Sequence, residues 1–311
     1  MAWHVVDRDS TIGDAAAMVV PTMQLRLPDR RSLDVFLDGP ETGTPLVYHF
    51  GTPGAGGPTF APIVDTLAER GLRYVTFSRP GYGSSTRLPG RDVVAVVDDT
   101  AAVLDAIGAE RCHVIGWSGG GPHALACATR MPERVINVAT IGSVAPYAAE
   151  GLDWLAGMGA ENVEEFSAAL TGPEELIAFM EHAAPVFRDM RPAQVADAFG
   201  DLIDDVDRGS LTGTFSEWMA DDMHEALRIG YWGWFDDDMA FMQPWGFALD
   251  EIRVPAFIWQ GGHDRMVPFA HGEWLAAHIP GAQGCLFPEH GHLTLAVDSI
   301  GRIVDELLTV D

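Results

Sequence analysis

The sequence has 311 residues, of which 47% are hydrophobic and 21% charged, the profile of a globular protein with a sizeable core. It is strongly acidic: 45 Asp and Glu stand against 19 Arg and no Lys, giving a formal net charge of −26. This balance argues against partners that need a basic surface, namely nucleic acid and anionic membranes. The lack of lysine excludes every mechanism that uses a lysine side chain.

The cysteines and the apolar segments indicate the cellular compartment in which the protein is expected. Cys112, Cys127 and Cys285 lack metal-site or disulfide spacing, and we interpret them as small buried residues in a reducing compartment. Residues 1–21 contain no basic region followed by a long apolar stretch, so no secretory signal is expected. No apolar run reaches the length of a membrane span. These features together predict a cytoplasmic protein.

The first half of the chain alternates predicted strands and helices. Two short alternating segments separated by a turn predict a β-hairpin at 23–27 and 33–37. Apolar runs then predict strands at 45–50, 73–78, 112–116 and 134–141. Helical spacing, with glycine stops, predicts helices at 63–70, 92–107 and 119–130. A glycine- and proline-rich loop, 51–58, follows the first of these strands.

The alternation stops near residue 146 and resumes near residue 247. Only helical patterns lie between, and they are followed by strand 254–259, helix 271–278, strand 284–287 and helix 293–308. The predicted fold class is α/β, with a mostly parallel twisted sheet flanked by helices and an inserted all-helical cap. The predicted domains are a discontinuous core, 1–145 and 247–311, and a cap, 146–246.

One short motif carries the proposed chemistry. Residues 116–120 read Gly-Trp-Ser-Gly-Gly, a G-x-S-x-G pattern that lies after a predicted strand and before a predicted helix. Glycines at these positions permit a sharp turn that exposes the serine, and the helix start directs backbone N–H groups toward its oxygen. Ser118 is therefore the predicted nucleophile.

A serine nucleophile needs a base and an acid that orients the base. Asp264 follows the late strand 254–259, and His292 follows the last strand and precedes the final helix. The chain order Ser, Asp, His matches the order found in this kind of α/β sheet. His290 is the alternative base, and His263 and His271 are expected at the pocket rim or surface.

Acyl transfer also needs N–H donors that face the developing oxyanion. One predicted donor is the backbone of Gly119, the residue after the nucleophile. The other is placed at Thr52, in the glycine-rich loop after strand 45–50.

At this point the sequence resembles a known superfamily, the α/β hydrolases. The resemblance spans residues 45–292 and leaves out the cap. It rests on five ordered motifs: His-Phe-Gly-Thr-Pro-Gly at 49–54, Arg-Pro-Gly-Tyr-Gly-Ser-Ser at 79–85, the serine motif at 116–120, Gly-His-Asp-Arg-Met-Val-Pro at 262–268 and Gly-His at 291–292.

The resemblance implies the fold and hydrolysis through the triad Ser118, His292 and Asp264, with no cofactor and no metal. Two positions depart from the usual pattern: Phe50 replaces a histidine before the loop glycine, and Ser78 replaces an aspartate before Arg-Pro-Gly. A serine nucleophile argues against haloalkane dehalogenases and epoxide hydrolases, which use aspartate in this fold.

The substrate is predicted to be a small molecule, and a hydrophobic carboxylic ester is favoured. Aromatic residues near the expected cleft are the candidate substrate-binding side chains: Phe50, Trp117, Trp232, Trp234 and Trp245. The run 236–238, three aspartates, is interpreted as a solvated edge of the cap rather than a cation site, because no calcium-loop glycine spacing surrounds it.

Three alternatives stay open at this stage. The first is an amide hydrolase of the aminopeptidase type, in which Glu161, Glu164 or Glu165 would hold a substrate ammonium. The second is a lyase or carbon–carbon hydrolase that uses the same triad. The third is a non-catalytic ligand-binding member of the fold. A homo-oligomer is compatible with the sequence, which does not fix the oligomeric state.

Overall fold

A computed structural model describes residues 19–310. Residues 1–18, to which most of the expectation about a secretory signal applies, lie outside the described residues, as does residue 311. An eight-stranded sheet forms the centre of the molecule, with spatial order β1-β2-β4-β3-β5-β6-β7-β8. The strands are β1 (Met23–Arg26), β2 (Ser32–Asp38), β3 (Thr44–His49), β4 (Leu72–Phe77), β5 (Cys112–Trp117), β6 (Val135–Ile141), β7 (Ala256–Gly261) and β8 (Gln283–Phe287).

The sheet is parallel apart from its first strands. β1 and β2 form the predicted hairpin, β2 also pairs antiparallel with β4, and every other pairing is parallel. The α/β-hydrolase fold class is thus confirmed, and each strand expected from the sequence is present with ends shifted by one or two residues. The shifts are of the size by which strand ends ordinarily vary.

Helices cover both faces of the sheet. They are α1 (Ala61–Glu69), α2 (Val96–Ala106), α3 (Gly120–Arg130), α4 (Ala160–Thr171), α5 (Pro173–Arg188), α6 (Val195–Ala198), α7 (Asp205–Ser210), α8 (Gly213–Leu227), α9 (Trp232–Phe241), α10 (Phe269–His278), α11 (His292–Asp298) and α12 (Ile300–Leu307). The predicted helix 293–308 is in fact two helices, because Ser299 leaves helical geometry at φ −104° and ψ −3°. The six helices α4 to α9 all lie between β6 and β7.

Hydrophobic side chains pack on both faces of the sheet and form one core on each face. In β3, Val47 packs with the side chains of α2, α3 and α10, whereas Leu46 and Tyr48 pack with those of α1 and α12 on the opposite face. Successive side chains of a strand point to opposite faces, so a strand covered on both sides is apolar throughout. Cys112 and Cys127 are buried as expected, and Cys285 is partly exposed.

The parallel register brings four loops to one edge. The carboxyl ends of β3, β5, β6 and β7 lie side by side at one edge of the sheet. The pairs there are His49 with Gly116, Trp117 with Ile141, and Ile141 with Trp259. Ligands of open α/β sheets bind at this edge. The loops that carry Thr52, Ser118 and Asp264 leave the sheet here, and because Gly261 pairs with Phe287, so does the loop after β8 that leads to His292.

Candidate active site

Ser118 lies in a strained turn between β5 and α3. Its φ is +55°, and in the described chain Arg30 is the only other non-glycine residue with a positive φ. The flanking glycines are required by contact: a Cβ at Gly116 would lie 2.3 Å from the Gly120 carbonyl oxygen, and one at Gly120 would lie 2.0 Å from that of His49. Left-handed backbone costs a non-glycine residue about 1–3 kcal/mol and is held by its surroundings.

His292 and Asp264 form a buried pair. The Nδ1 atom of His292 lies 2.7 Å from Asp264 Oδ2, and both side chains are at most 4% exposed. The other Asp264 oxygen accepts the backbone N–H groups of Met266 and Val267 at 2.9 and 2.7 Å, which fixes the carboxylate. Burial alone would lower the pKa of His292, but the charge and hydrogen bond of Asp264 outweigh it and raise that pKa.

Asp207, a residue that the sequence analysis missed, holds the start of the helix that carries His292. This carboxylate on α7 is fully buried and accepts the backbone N–H groups of His292, Leu293 and Thr294 at 2.7–3.0 Å, together with the Thr294 hydroxyl. A Cβ at Gly291 would lie 2.3 Å from that carboxylate, so the approach depends on glycine. An acidic group at a helix N-terminus is favourable because unpaired N–H groups point toward it.

Thr52 and Gly119 approach each other closely beside Ser118. A Cβ at Gly119 would lie 2.4 Å from Thr52 Oγ1, and one at Gly51 would lie 3.2 Å from the Ser118 Cβ. Within residues 19–310, neither the Thr52 nor the Gly119 backbone N–H donates to a protein acceptor. Two residues close to each other and to Ser118 thus each have a backbone N–H without an acceptor, which is what an oxyanion needs.

The loop that carries Thr52 is tied to a buried ionic cluster around Asp237. Arg79 donates to the carbonyl oxygens of Phe50 and Gly51 at 2.6 and 2.7 Å and to Asp237 at 2.7 Å. Asp237 also accepts the hydroxyls of Thr52 and Tyr82 at 2.8 and 2.9 Å. Burial would raise the pKa of Asp237, but the guanidinium groups of Arg79 and Arg91 hold it well below its usual range.

The run of three aspartates is therefore not the solvated edge that the sequence suggested. Asp236, Asp237 and Asp238 are 2%, 0% and 0% exposed. Asp236 pairs with Arg87 at 2.7 Å, and Asp237 pairs with Arg79 and Arg91. Sequence patterns could not reveal this, because the partner arginines lie about 150 residues earlier in the chain. No group of three or more His, Cys, Asp or Glu suited to a metal ion occurs in the described chain.

An apolar cavity of about 100 Å³ opens beside Ser118 and His292. Thr52 and Gly119 line it as well. The rest of its wall is rich in aromatic side chains, namely Phe50, Trp117, Phe166, Phe179, Phe187, Phe199, Trp234 and Phe241. The Trp117 ring also stacks on the His292 imidazole, with centroids 5.8 Å apart. The nucleophile candidate, the histidine and a hydrophobic binding space thus share one cavity.

Two predicted substrate-binding tryptophans do not line this cavity. Trp232 packs instead under the Arg87 guanidinium, 4.0 Å from the ring centroid, and Trp245 is buried against the core that covers α2 and α3. Phe50, Trp117 and Trp234 do line the cavity. The helical period places Trp232 and Trp234 about 200° apart around α9, so the two side chains face different surroundings.

The other three histidines considered as site residues, His263, His271 and His290, do not line the cavity. His271 is not at a rim or surface: it is 1% exposed, its Nδ1 accepts the Ala145 N–H, and its Nε2 faces the Trp154 carbonyl oxygen. His263 is exposed, as expected, and pairs with Asp204 at 2.7 Å. His290 is partly exposed and does not line the cavity.

Comparison with known proteins places the chain in a family. The family model described as the alpha/beta hydrolase fold matches residues 44–299. Among curated proteins, the pimeloyl-[acyl-carrier protein] methyl ester esterase of Chromobacterium violaceum is 27% identical over 245 residues, which are 77% of this chain and 84% of that protein. The 2-hydroxy-6-oxononadienedioate/2-hydroxy-6-oxononatrienedioate hydrolase of Paraburkholderia phymatum is 27% identical over 263 residues, 80% of each chain.

Solved structures show the same fold. The enol-lactonase of Burkholderia xenovorans LB400 aligns with a TM-score of 0.66 at 18% identity, over 92% of this chain and all of that one. An esterase of Exiguobacterium antarcticum aligns with a TM-score of 0.63 at 19% identity, over 92% and 97% of the two chains. Within residues 19–310, every helix is too short or too polar to cross a membrane.

Proposed function

The chain belongs to the α/β-hydrolase family and is a hydrolase of that fold, and we propose that it cleaves small hydrophobic carboxylic esters through an acyl-enzyme on Ser118. One observation carries the proposal. Ser118, in strained backbone, and His292, paired with Asp264, line the same apolar cavity as Thr52 and Gly119, whose backbone N–H groups have no acceptor within residues 19–310. These are the parts that acyl transfer on a serine requires.

The proposed reaction has two halves. Ser118 Oγ attacks the ester carbonyl carbon while its proton passes to His292 Nε2, and the Thr52 and Gly119 N–H groups stabilise the oxyanion. The intermediate collapses, the C–O bond breaks, and the alcohol leaves with the proton from His292. Water then attacks the acyl-enzyme by the same route and releases the acid. Asp264 orients His292 and stabilises its imidazolium form.

The cavity wall favours an ester over the carbon–carbon rival. The eight aromatic side chains suit an apolar acyl or alcohol group. Several relatives are named as hydrolases of dioates, which carry two carboxylates, and another is named as the hydrolase of a phenyl-substituted dienoate, which carries one. Four carboxyl side chains line the cavity of this chain, Glu161, Glu165, Asp222 and Asp238, and each of them that is ionised disfavours a substrate that carries carboxylates. The relative named as a methyl ester esterase agrees with the ester proposal.

The test combines active-site labelling with turnover. The wild type, Ser118→Ala and the exposed-serine control Ser167→Ala are treated with a fluorophosphonate probe and assayed on p-nitrophenyl acetate, p-nitrophenyl octanoate and an aminoacyl anilide. We expect labelling and ester turnover in the wild type and in Ser167→Ala, and neither in Ser118→Ala. A wild type that is neither labelled nor active would contradict the proposal. Turnover of the anilide alone would favour the amide hydrolase.

A further inference from the structure

The charge of the cavity wall is one-sided. Glu161, Glu165, Asp222 and Asp238 line it, and within the described chain the only basic side chain among the lining residues is His292. Arg79 and Arg91, which lie close by, are engaged with Asp237. Burying an unpaired carboxylate in an apolar site is unfavourable in free energy, so such a group either keeps its proton or pairs with a cation.

Two of these carboxyl groups face each other. Glu165 on α4 and Asp238 on α9 are 7% and 0% exposed and lie within hydrogen-bonding reach of one another. Trp234 Nε1 donates to one Glu165 oxygen at 2.6 Å. Neither oxygen of Asp238 receives a hydrogen bond from a donor in residues 19–310. The pair therefore has more acceptor capacity than its surroundings satisfy.

We propose that the Glu165–Asp238 pair binds a protonated aliphatic amine carried by the substrate. An ammonium group has three donors, which suit the oxygens of the pair that carry no proton and accept no bond from Trp234. The aromatic walls cover the hydrocarbon part, and the net charge of −26 draws cations toward the protein. This inference rests on the proposed function and names the substrate class as amine-bearing hydrophobic esters.

The proton on the pair sets the pH at which an amine binds. Burial raises the pKa of Glu165 to about 7 and that of Asp238 well above its usual range. The charges of Glu165 and Asp237 raise the Asp238 pKa further, and Arg91 opposes them; Asp222, Glu161 and His292 share the cavity. The pair gains negative charge as pH rises through neutrality, so ammonium binding strengthens in that direction.

The first experiment compares two ligands of equal length, n-hexylammonium and 1-hexanol. Each is measured as a competitive inhibitor of p-nitrophenyl acetate hydrolysis and by calorimetry, at pH 8. We expect the wild type to prefer hexylammonium by about tenfold or more, the gain of one or two charge-assisted hydrogen bonds. Equal binding, or a preference for hexanol, overturns the inference and indicates a neutral, proton-sharing pair.

Variants locate the effect. Glu165→Gln and Asp238→Asn keep the side-chain shape and are expected to lose most of the preference for hexylammonium. Glu164→Gln is the matched control, because Glu164 is the adjacent, exposed residue of the same helix and carries the same charge. A similar loss in Glu164→Gln would mean that only the overall charge matters, which overturns the inference.

A pH series covers the case in which the Glu165 and Asp238 variants fold poorly. The ratio of the two dissociation constants is followed by calorimetry from pH 5.5 to 8.5, where hexylamine stays protonated, in the wild type and in His292→Asn, which removes the cavity side chain whose positive charge would repel the ammonium at low pH. We expect the preference for hexylammonium to rise across this range, and a flat ratio overturns the inference. If Ser118 is not labelled and esters are not cleaved, the proposed function fails, but calorimetry still tests amine binding.

Discussion

Replacing Asp207 with asparagine tests whether α7 positions His292. Asp207 Oδ2 accepts the His292 N–H, while Oδ1 accepts two further N–H groups and the Thr294 hydroxyl. Asparagine offers one oxygen and one NH₂ group, so one buried N–H of α11 faces another donor. The substitution also removes a negative charge at the helix N-terminus.

The size of the effect follows from these losses. An unsatisfied buried N–H costs about 1–3 kcal/mol, and the lost charge–dipole interaction costs about 1 kcal/mol. We therefore expect Asp207→Asn to lower the free energy of unfolding by about 3 kcal/mol. A shift of His292 that spoils the attack geometry is expected to lower kcat by about 10- to 100-fold, with little change in KM.

Urea unfolding and ester kinetics measure the two effects, with fluorophosphonate labelling rates as a second readout at Ser118. Asp205→Asn is the matched control, because Asp205 is exposed on the same helix and its loss is expected to stay within about 0.5 kcal/mol. If Asp207→Asn lost stability but kept the kcat and labelling rate of the wild type, α7 would be structural support only and the positioning argument would be refuted.

Three further predictions follow from the same geometry. The acid limb of the pH profile of kcat/KM is expected above the usual histidine value near 6.5, because Asp264 raises the pKa of His292. Asp264→Asn is expected to move the acid limb of the residual activity to lower pH, and an unmoved limb would contradict this prediction. Asp237→Asn leaves Arg79 and Arg91 buried without a counter-charge and is expected to lower the free energy of unfolding, measured in urea, by about 3–5 kcal/mol. Asp236→Asn is expected to lower it by less, because the partner Arg87 is 29% exposed, and equal losses would refute the argument. Gly120→Ala places a Cβ 2.0 Å from a backbone oxygen and is expected to unfold or inactivate the protein, whereas Gly209→Ala, with open space around it, is expected to be tolerated in expression and thermal-unfolding tests.

The sequence was most informative where a reactive residue lies in a backbone turn that its neighbouring residues determine. The glycines around Ser118 are required by contacts within a few residues, so the turn could be recognised from the motif alone. Asp264 and His292 follow strands, and parallel strands bring their carboxyl ends to one edge, which is why the pairing of these two residues could be expected from the sequence.

The sequence was least informative in the helical segment between β6 and β7. The burial of Asp236 to Asp238 depends on arginines near residue 80, and a local pattern of three acids predicts solvent instead. Asp207 likewise lies 85 residues before His292, at the start of the helix that it holds. A pairing between distant segments leaves no periodic trace in one sequence.

The sequence by itself therefore determined the strand order along the chain, the turn at Ser118 and the candidate residues for nucleophile, acid and base. Short-range sterics and the two-residue and 3.6-residue periods encode these features directly. Tertiary structure alone decided which carboxyl groups are buried, which of them have counter-charges and which face the cavity. Those properties depend on how α4, α7 and α9 pack over the sheet, because burial and charge pairing arise only when distant segments meet.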